Sequence, residues 1–428
     1  MRTPKPEMRR RPKVLLSAYA CEPYLGSEHG VGWQWAVDLA RLGYEVWVIT
    51  QTKYRAGIER ALAQDPVPNL HPIYHAVFRR EGWWKSSTSK MQLYYLLWQA
   101  GAYFVARRLL RRQHFAIAHH VTWVSVRFPS FMGLLGIPFI FGPVAGGDYS
   151  PSSLWRGMGP RVCLHESLRR ISNLWVRYSP LMNLTFLTAR RIFVTSEQTA
   201  ELLPAYAKAR SSVLLGITAN RYTESLSRLP LRQRGAGEPF QVFFAGRFVS
   251  LKGMHFGLKA FARLHAEVAC AQLTMIGSGP MLPHWRQLAD ELGIGANVSW
   301  RGSMPRTEFM RALGEFDALL FPSLHDSGGM VVMEAMAAGI PVVCLDVGGP
   351  GILVDETCGF RIAATVPHQV VQGLADALCH LAREPGRCRE MGRSARLQVN
   401  ELFGPSAHAK RIDHLYKAIL EQPANAPV

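Results

Sequence analysis

The chain has 428 residues, 48% of them hydrophobic, which suits two domains of about 200 residues each. Its seven cysteines (Cys21, Cys163, Cys270, Cys344, Cys358, Cys379, Cys388) are scattered and never spaced CxxC, which argues against a disulfide framework or zinc knuckle and for a reducing compartment. The net charge of +18 is lopsided: residues 1–210 hold 28 Lys/Arg against 12 Asp/Glu (+16), and residues 211–428 hold 21 against 19 (+2). A basic half of this kind suits a phosphorylated substrate or an anionic membrane; nucleic acid is disfavoured, because no recognised binding motif or arginine-rich tail is present.

Residues 1–12 form a basic tail without the apolar core of a signal peptide. "KVLLSAYA" (13–20) reads as a strand, followed by a Gly-containing loop, a helix "WQWAVDLARLG" (33–43) and a strand "YEVWVIT" (44–50). That is a βαβ unit, with Gly43 placed to end the helix. The basic, aromatic stretch 79–112 contains the charge-free run Met91–Ala106, shorter than the roughly 20 residues a bilayer span needs. It reads as a core helix with a basic end or as an interfacial surface. Strands follow at "FAIAHHVTW" (115–123), "PFIFGPVAGG" (138–147) and "RRIFVTS" (190–196). A polar, Gly/Pro-bearing stretch at 225–240 marks a boundary.

A second alternating set then begins: "QVFFAGRF" (241–248), "LTMIGSG" (273–279), "NVSWRGS" (297–303), "DALLFPS" (317–323) and "IPVVCLD" (340–346). The last segment, 402–422, reads as a helix. No heptad or solenoid-length repeat interrupts the pattern. The class is α/β, with two domains built on mostly parallel sheets. In such sheets function sits outside the carboxyl ends of the strands.

The stretch "HDSGGMVVMEAMAAG" (325–339) follows the strand "DALLFPS" and opens a helix that Gly339 stops. Gly328 and Gly329 let a ligand approach their amides, and those amides with the helix dipole favour a phosphate. Glu334, about a turn and a half into the helix, cannot usefully bind phosphate but can accept hydrogen bonds from sugar hydroxyls. Each piece has a plainer reading: Asp326 as a helix cap, the glycines as a tight turn, Glu334 as a solvated helix residue.

Here the chain resembles the retaining, GT-B-fold glycosyltransferases of family 4 (glycosyl transferases group 1). "DSGGMVVMEAMAAGIPVV" resembles the family's E-x7-E signature, with Asp326 at the first acid and Glu334, which in the family holds the nucleotide's ribose hydroxyls, at the second. "FFAGRFVSLKG" resembles its G-R-x-x-x-x-K-G element, so the resemblance makes Arg247 and Lys252 the cations that grip the donor diphosphate. The amides near Gly329 and Met330 would assist them. "MIGSGPM" matches the G-x-G-P loop through Gly277 and Gly279, and "RGSMPRTEF", with Ser303, occupies the place where the base is read. In the N-terminal half, Gly30 and Gly32 fall where the family's glycine-rich loop approaches the donor diphosphate and the acceptor, and Glu28, in the same loop, is a candidate acceptor contact. His119, His120 and Asp148 are candidates for the acceptor site, with the two adjacent histidines pointing to opposite sides of a strand.

The resemblance implies two Rossmann-like domains whose parallel sheets face across a cleft. Residues 13–224 would bind the acceptor and 241–403 the nucleotide sugar, joined by a linker at 225–240, with a helix in 404–428 returning to the N-terminal domain. It implies transfer of a sugar from a nucleotide-diphosphate sugar to a hydroxyl with retained configuration, in cell-surface, exopolysaccharide or lipopolysaccharide synthesis. A nucleotide-sugar epimerase or hydrolase of the same fold is the alternative. No DxD triplet occurs, so no metal or other cofactor is expected. The basic half suggests a glycan or lipid-linked saccharide acceptor, met in the cytoplasm or at the inner face of the plasma membrane.

Overall fold

The computed structural model describes residues 12–24, 27–78, 88–155, 158–216, 221–235 and 237–421. The basic N-terminal tail (1–11) and residues 79–87 of the basic, aromatic stretch lie outside these. The chain divides into two compact units: residues 1–147, 173–216 and 408–428 in one, 148–172 and 217–407 in the other.

The first unit is built on seven strands: β1 (Lys13–Ala18), β2 (Glu45–Gln51), β3 (Leu70–His75), β4 (Ile117–Thr122), β5 (Phe139–Val144), β6 (Arg191–Val194) and β7 (Ser211–Val213). Their order is β3-β2-β1-β4-β5-β6-β7, with every pairing parallel. β1 registers Val14 against Val46 on one side and Ile117 on the other. Successive β1 residues alternate between two cores: Leu15 packs with Trp98 and Phe141, whereas Val14 and Leu16 pack with Trp35 and Tyr44. Both faces of β1 are therefore covered, which is why Val14–Leu16 is a continuous apolar run.

The helix Thr88–Leu110 buries Tyr94, Tyr95, Trp98, Ala102 and Ala106 along one face and leaves Leu93, Leu97 and Phe104 outside. The charge-free run is thus a core helix, and no helix among the described residues is long and apolar enough to cross a membrane. The C-terminal helix Pro405–Glu421 sets Ile412, Tyr416 and Ile419 into the first unit's core, and the Tyr44 hydroxyl donates to Asp413 Oδ1 at 2.8 Å.

The second unit carries β8 (Gln241–Ala245), β9 (Gln272–Ile276), β10 (Val298–Gly302), β11 (Ala318–Phe321), β12 (Val342–Leu345) and β13 (Gly359–Ile362), in the order β10-β9-β8-β11-β12-β13 and again parallel. Two boundaries differ from the sequence reading. The stretch 225–240 is not a separate linker: it begins in the helix Arg221–Ser227, which packs on the helix Met330–Ala338. It then anchors Arg232 Nε to Asp317 Oδ1 at 3.0 Å, so it belongs to the second unit. Residues 148–172, expected in the N-terminal domain, also group with the second unit, because Arg169 reaches His325 there.

Candidate active site

In the second sheet the strand order reverses between β8 and β11, which makes the carboxyl ends of those two strands the topological switch point. The segment after β8 supplies Lys252 and the segment after β11 supplies Asp326. They meet there, Lys252 Nζ lying 2.5 Å from Asp326 Oδ2 and 4.9 Å over the Phe321 ring. The other Asp326 oxygen accepts from the Gly328 and Gly329 amides at 3.1 and 2.8 Å. Burial alone would raise the Asp326 carboxyl pKa, but Lys252 and the two amides outweigh it and hold the group below the usual carboxylate range. Gly329 starts the helix Met330–Ala338 in the left-handed region, φ 64°, and a Cβ there would lie 2.8 Å from Leu353 Cδ1.

The amides of Gly328 and Gly329 were expected to face a diphosphate. Here they are engaged by Asp326, while Gly329 itself stands at the helix N-cap, so Asp326 braces the turn before the helix and does not cap the helix. Met330, the first residue of the helix, is half-buried. Glu334 is 3% exposed and paired with the Arg306 guanidinium, so it is not the solvated residue of the plainer reading. Burial pushes its carboxyl pKa up, and the Arg306 charge offsets this in part. Arg306 was not singled out in the sequence. It follows Pro305 at the start of a short helix after β10, and no local spacing ties it to Glu334.

Arg247, on the segment after β8, is exposed. Gly277 and Gly279 are explained by packing: a Cβ would lie 1.9 Å from Gly246 O and 2.5 Å from Phe248 O respectively, so the loops after β8 and β9 close on each other only with glycine there. Ser303 Oγ lies 2.8 Å from Ser278 Oγ, joining the loops after β9 and β10. Beside Asp326, His325 lies 3.0 and 3.2 Å from the Arg169 guanidinium, which donates to Asp148 O at 2.7 Å and pairs with Glu166 at 3.2 Å. Asp148, expected as an acceptor contact, is fully buried in this unit.

The first sheet reverses between β1 and β4. The expected glycine-rich loop is helix: Ser27–Arg41 is helical, so Gly30 and Gly32 lie in its first turns. Gly32 is required by close approach, since a Cβ would sit 2.1 Å from Ala20 O after β1 and 2.9 Å from Thr122 Cγ2 at the end of β4. Glu28 Oε1 accepts the Trp123 amide at 3.2 Å; crowding of its carboxyl by protein raises the pKa, and that amide works against the rise. Trp123 holds φ 58°, a strained value for a non-glycine residue, and the Tyr95 hydroxyl fixes its carbonyl at 2.8 Å. Sequence reasoning missed Trp123.

His119 and His120 point to opposite faces of β4, as alternation requires, but both are wholly buried and neither is open to an acceptor. His119 Nε2 donates to Gly142 O at 2.8 Å, which leaves Nδ1 to accept from the Tyr416 hydroxyl at 2.6 Å. His120 Nε2 lies 3.2 Å from the Tyr95 hydroxyl and 3.1 Å from Gln99 Nε2. Burial lowers the two pKa values to about 3 and about 4, so both rings are neutral near pH 7. No cluster of three metal-ligating side chains occurs among the described residues.

Two parallel-sheet, Rossmann-like units, the second carrying the Lys252–Asp326 pair at its switch point, define a two-domain α/β class. Residues 231–398 match the protein family described as glycosyl transferases group 1. D-inositol 3-phosphate glycosyltransferase of Streptomyces avermitilis is 30% identical over 248 residues, 54% of this chain and 52% of that protein. The chain spans about half the length of the curated relatives it matches. Among solved structures, sucrose-phosphate synthase from Thermosynechococcus elongatus aligns with a TM-score of 0.61 at 19% identity, covering 96% of this chain and 99% of that one. Anabaena HepE in complex with UDP and glucose aligns with a TM-score of 0.57 at 16% identity, covering 95% and 100%. At these identities the likeness is one of fold: the chain has the GT-B architecture of two Rossmann-like domains.

Proposed function

We propose that the protein is a retaining glycosyltransferase of family 4, moving a hexosyl group from a nucleotide-diphosphate sugar to a hydroxyl of a glycan or lipid-linked acceptor in the cytoplasm. The observation that carries this reading is the Lys252–Asp326 pair at the β8/β11 switch point, within the stretch that matches glycosyl transferases group 1. In the reaction the bond from the anomeric carbon to the diphosphate oxygen breaks and its electron pair leaves with the phosphate. Lys252 and Arg247 neutralise that charge, and removing one such group typically slows the reaction by about 10²–10³-fold. The acceptor hydroxyl attacks from the same face and gives its proton to the departing phosphate. Glu334, buried and charge-paired, accepts from the ribose hydroxyls. The HepE structure holds UDP, so UDP-sugars are the first donors to test.

The test is a thermal-shift screen of nucleotide sugars, followed by acceptor assays of the hit with and without EDTA. We expect one donor to raise the melting temperature of wild type but not of Glu334→Ala, and its nucleotide to be released only when acceptor is present, EDTA making no difference. An equal response from Glu334→Ala would remove that residue from the site. Nucleotide release without acceptor would favour a hydrolase.

A further inference from the structure

The helix Pro180–Thr188, "PLMNLTFLT", carries no charged residue and is apolar on two opposite faces. One face is accounted for: Met182, Thr185 and Phe186 are buried against the first unit's core. The other is not. Leu181, Leu184 and Leu187, three residues apart, are 50%, 37% and 59% exposed, where an ordinary surface helix would be polar. The preceding turn Trp175–Tyr178 extends the apolar surface with Leu174, Trp175 and Tyr178 at 63%, 67% and 75% exposure. Beside the helix lies the turn Met132–Leu135, where a Cβ on Gly133 would meet Thr188 Oγ1 and Leu134 is also exposed. An apolar face of this continuity marks a contact surface.

Charge decides the partner. Along the sequence no Asp or Glu occurs between Glu166 and Glu197, whereas Arg177 precedes the helix and Arg190 and Arg191 follow it. Arg177 is itself exposed, its guanidinium turned along the surface to the Leu202 and Glu201 carbonyls. A second copy of the chain seated on this face would oppose arginine to arginine. An anionic bilayer would not: leucines enter the acyl boundary, Trp and Tyr sit at headgroup level, and arginines meet lipid phosphates.

We propose that the face formed by Leu174–Tyr178 and the outer side of Pro180–Thr188 docks the protein peripherally on an anionic membrane. This goes beyond the donor chemistry and stands independently of it.

Flotation of the full chain with mixed phosphatidylcholine–phosphatidylglycerol vesicles, against pure phosphatidylcholine vesicles, tests it. We expect flotation with the mixed vesicles and about tenfold weaker binding for a Trp175→Ser/Leu181→Ser/Leu187→Ser variant that melts like wild type. Should that variant misfold, hydrogen exchange on wild type takes its place: amides of 174–188 slow when mixed vesicles are added. Failure of wild type to float, unchanged binding by the folded variant, or unchanged exchange each overturns the proposal. So does a wild-type dimer that the variant dissociates, which would assign the face to a second copy.

Discussion

Arg306 and Glu334 illustrate what a buried charge demands of its neighbour. Glu334 is almost fully enclosed and its carboxyl pKa already sits above 4.5, because burial outweighs the guanidinium beside it. Arg306→Ala leaves that carboxylate without its counter-charge, and breaking such a pair costs about 3 kcal/mol near neutral pH. The sign of the pH dependence follows. Removing Arg306 raises the folded-state pKa further above the unfolded value, so the variant's deficit grows as pH rises through that interval and shrinks as pH falls toward 4.5. Urea unfolding of wild type and variant at acid and mildly alkaline pH checks this. Adding Glu334→Gln to Arg306→Ala is expected to recover part of the loss, since the carboxylate is then gone. Lys252 and Asp326 were legible in the sequence because each lies in a short motif, glycine-marked, beside its own strand. Arg306 was not: its meeting with Glu334 is made by the fold, and nothing along the chain signals it.

Among the elements, the central strands were the easiest to read, for β1, β8 and β11 are buried on both faces and carry the apolar runs Val14–Leu16, Val242–Ala245 and Ala318–Phe321, whereas β4, equally buried, sets His119 and His120 among its apolar residues. The strands that went unread, β3, β7 and β13, all lie at sheet edges. There "LHPIYH" can hold a proline and two histidines, and "SSV" two serines, because one side of the strand lacks a ladder to satisfy. The histidines of β4 misled for a related reason. A sequence shows an ionisable side chain near a strand end, but not the Tyr416 and Gly142 groups that saturate His119. Their burial has a measurable consequence. The unfolded chain takes up protons near pH 6.5, while folded His119 and His120 resist until about 3 and about 4. Stability is therefore intact above pH 6.5 and declines as pH falls toward 4, by about 1.4 kcal/mol per pH unit for each imidazole. Denaturant titrations at stepped pH would show that slope. A flat profile would mean that the rings are open to protons in the native protein.

At the scale of the whole molecule, the chain changes unit at 147/148, 172/173, 216/217 and 407/408. Composition marked one change of region, at the polar stretch after residue 224, but it could not show that 148–172 leaves the first unit and that the tail rejoins it. Those crossings depend on side-chain partners such as Arg169 with His325, and Tyr416 with His119. They also make the stability of the two units separable by experiment. Deleting residues 405–428 removes Ile412, Tyr416 and Ile419 from the first unit's core and exposes His119 Nδ1, while the Lys252–Asp326 pair and the core of the second unit keep their residues. Losing three buried side chains of this size costs several kcal/mol, on the order of 2 each or more. Calorimetry of the truncated chain is therefore expected to show the first unit's transition moved to lower temperature, and a nucleotide sugar that binds should still raise the other. A single transition shifted as a block would mean that the units unfold together.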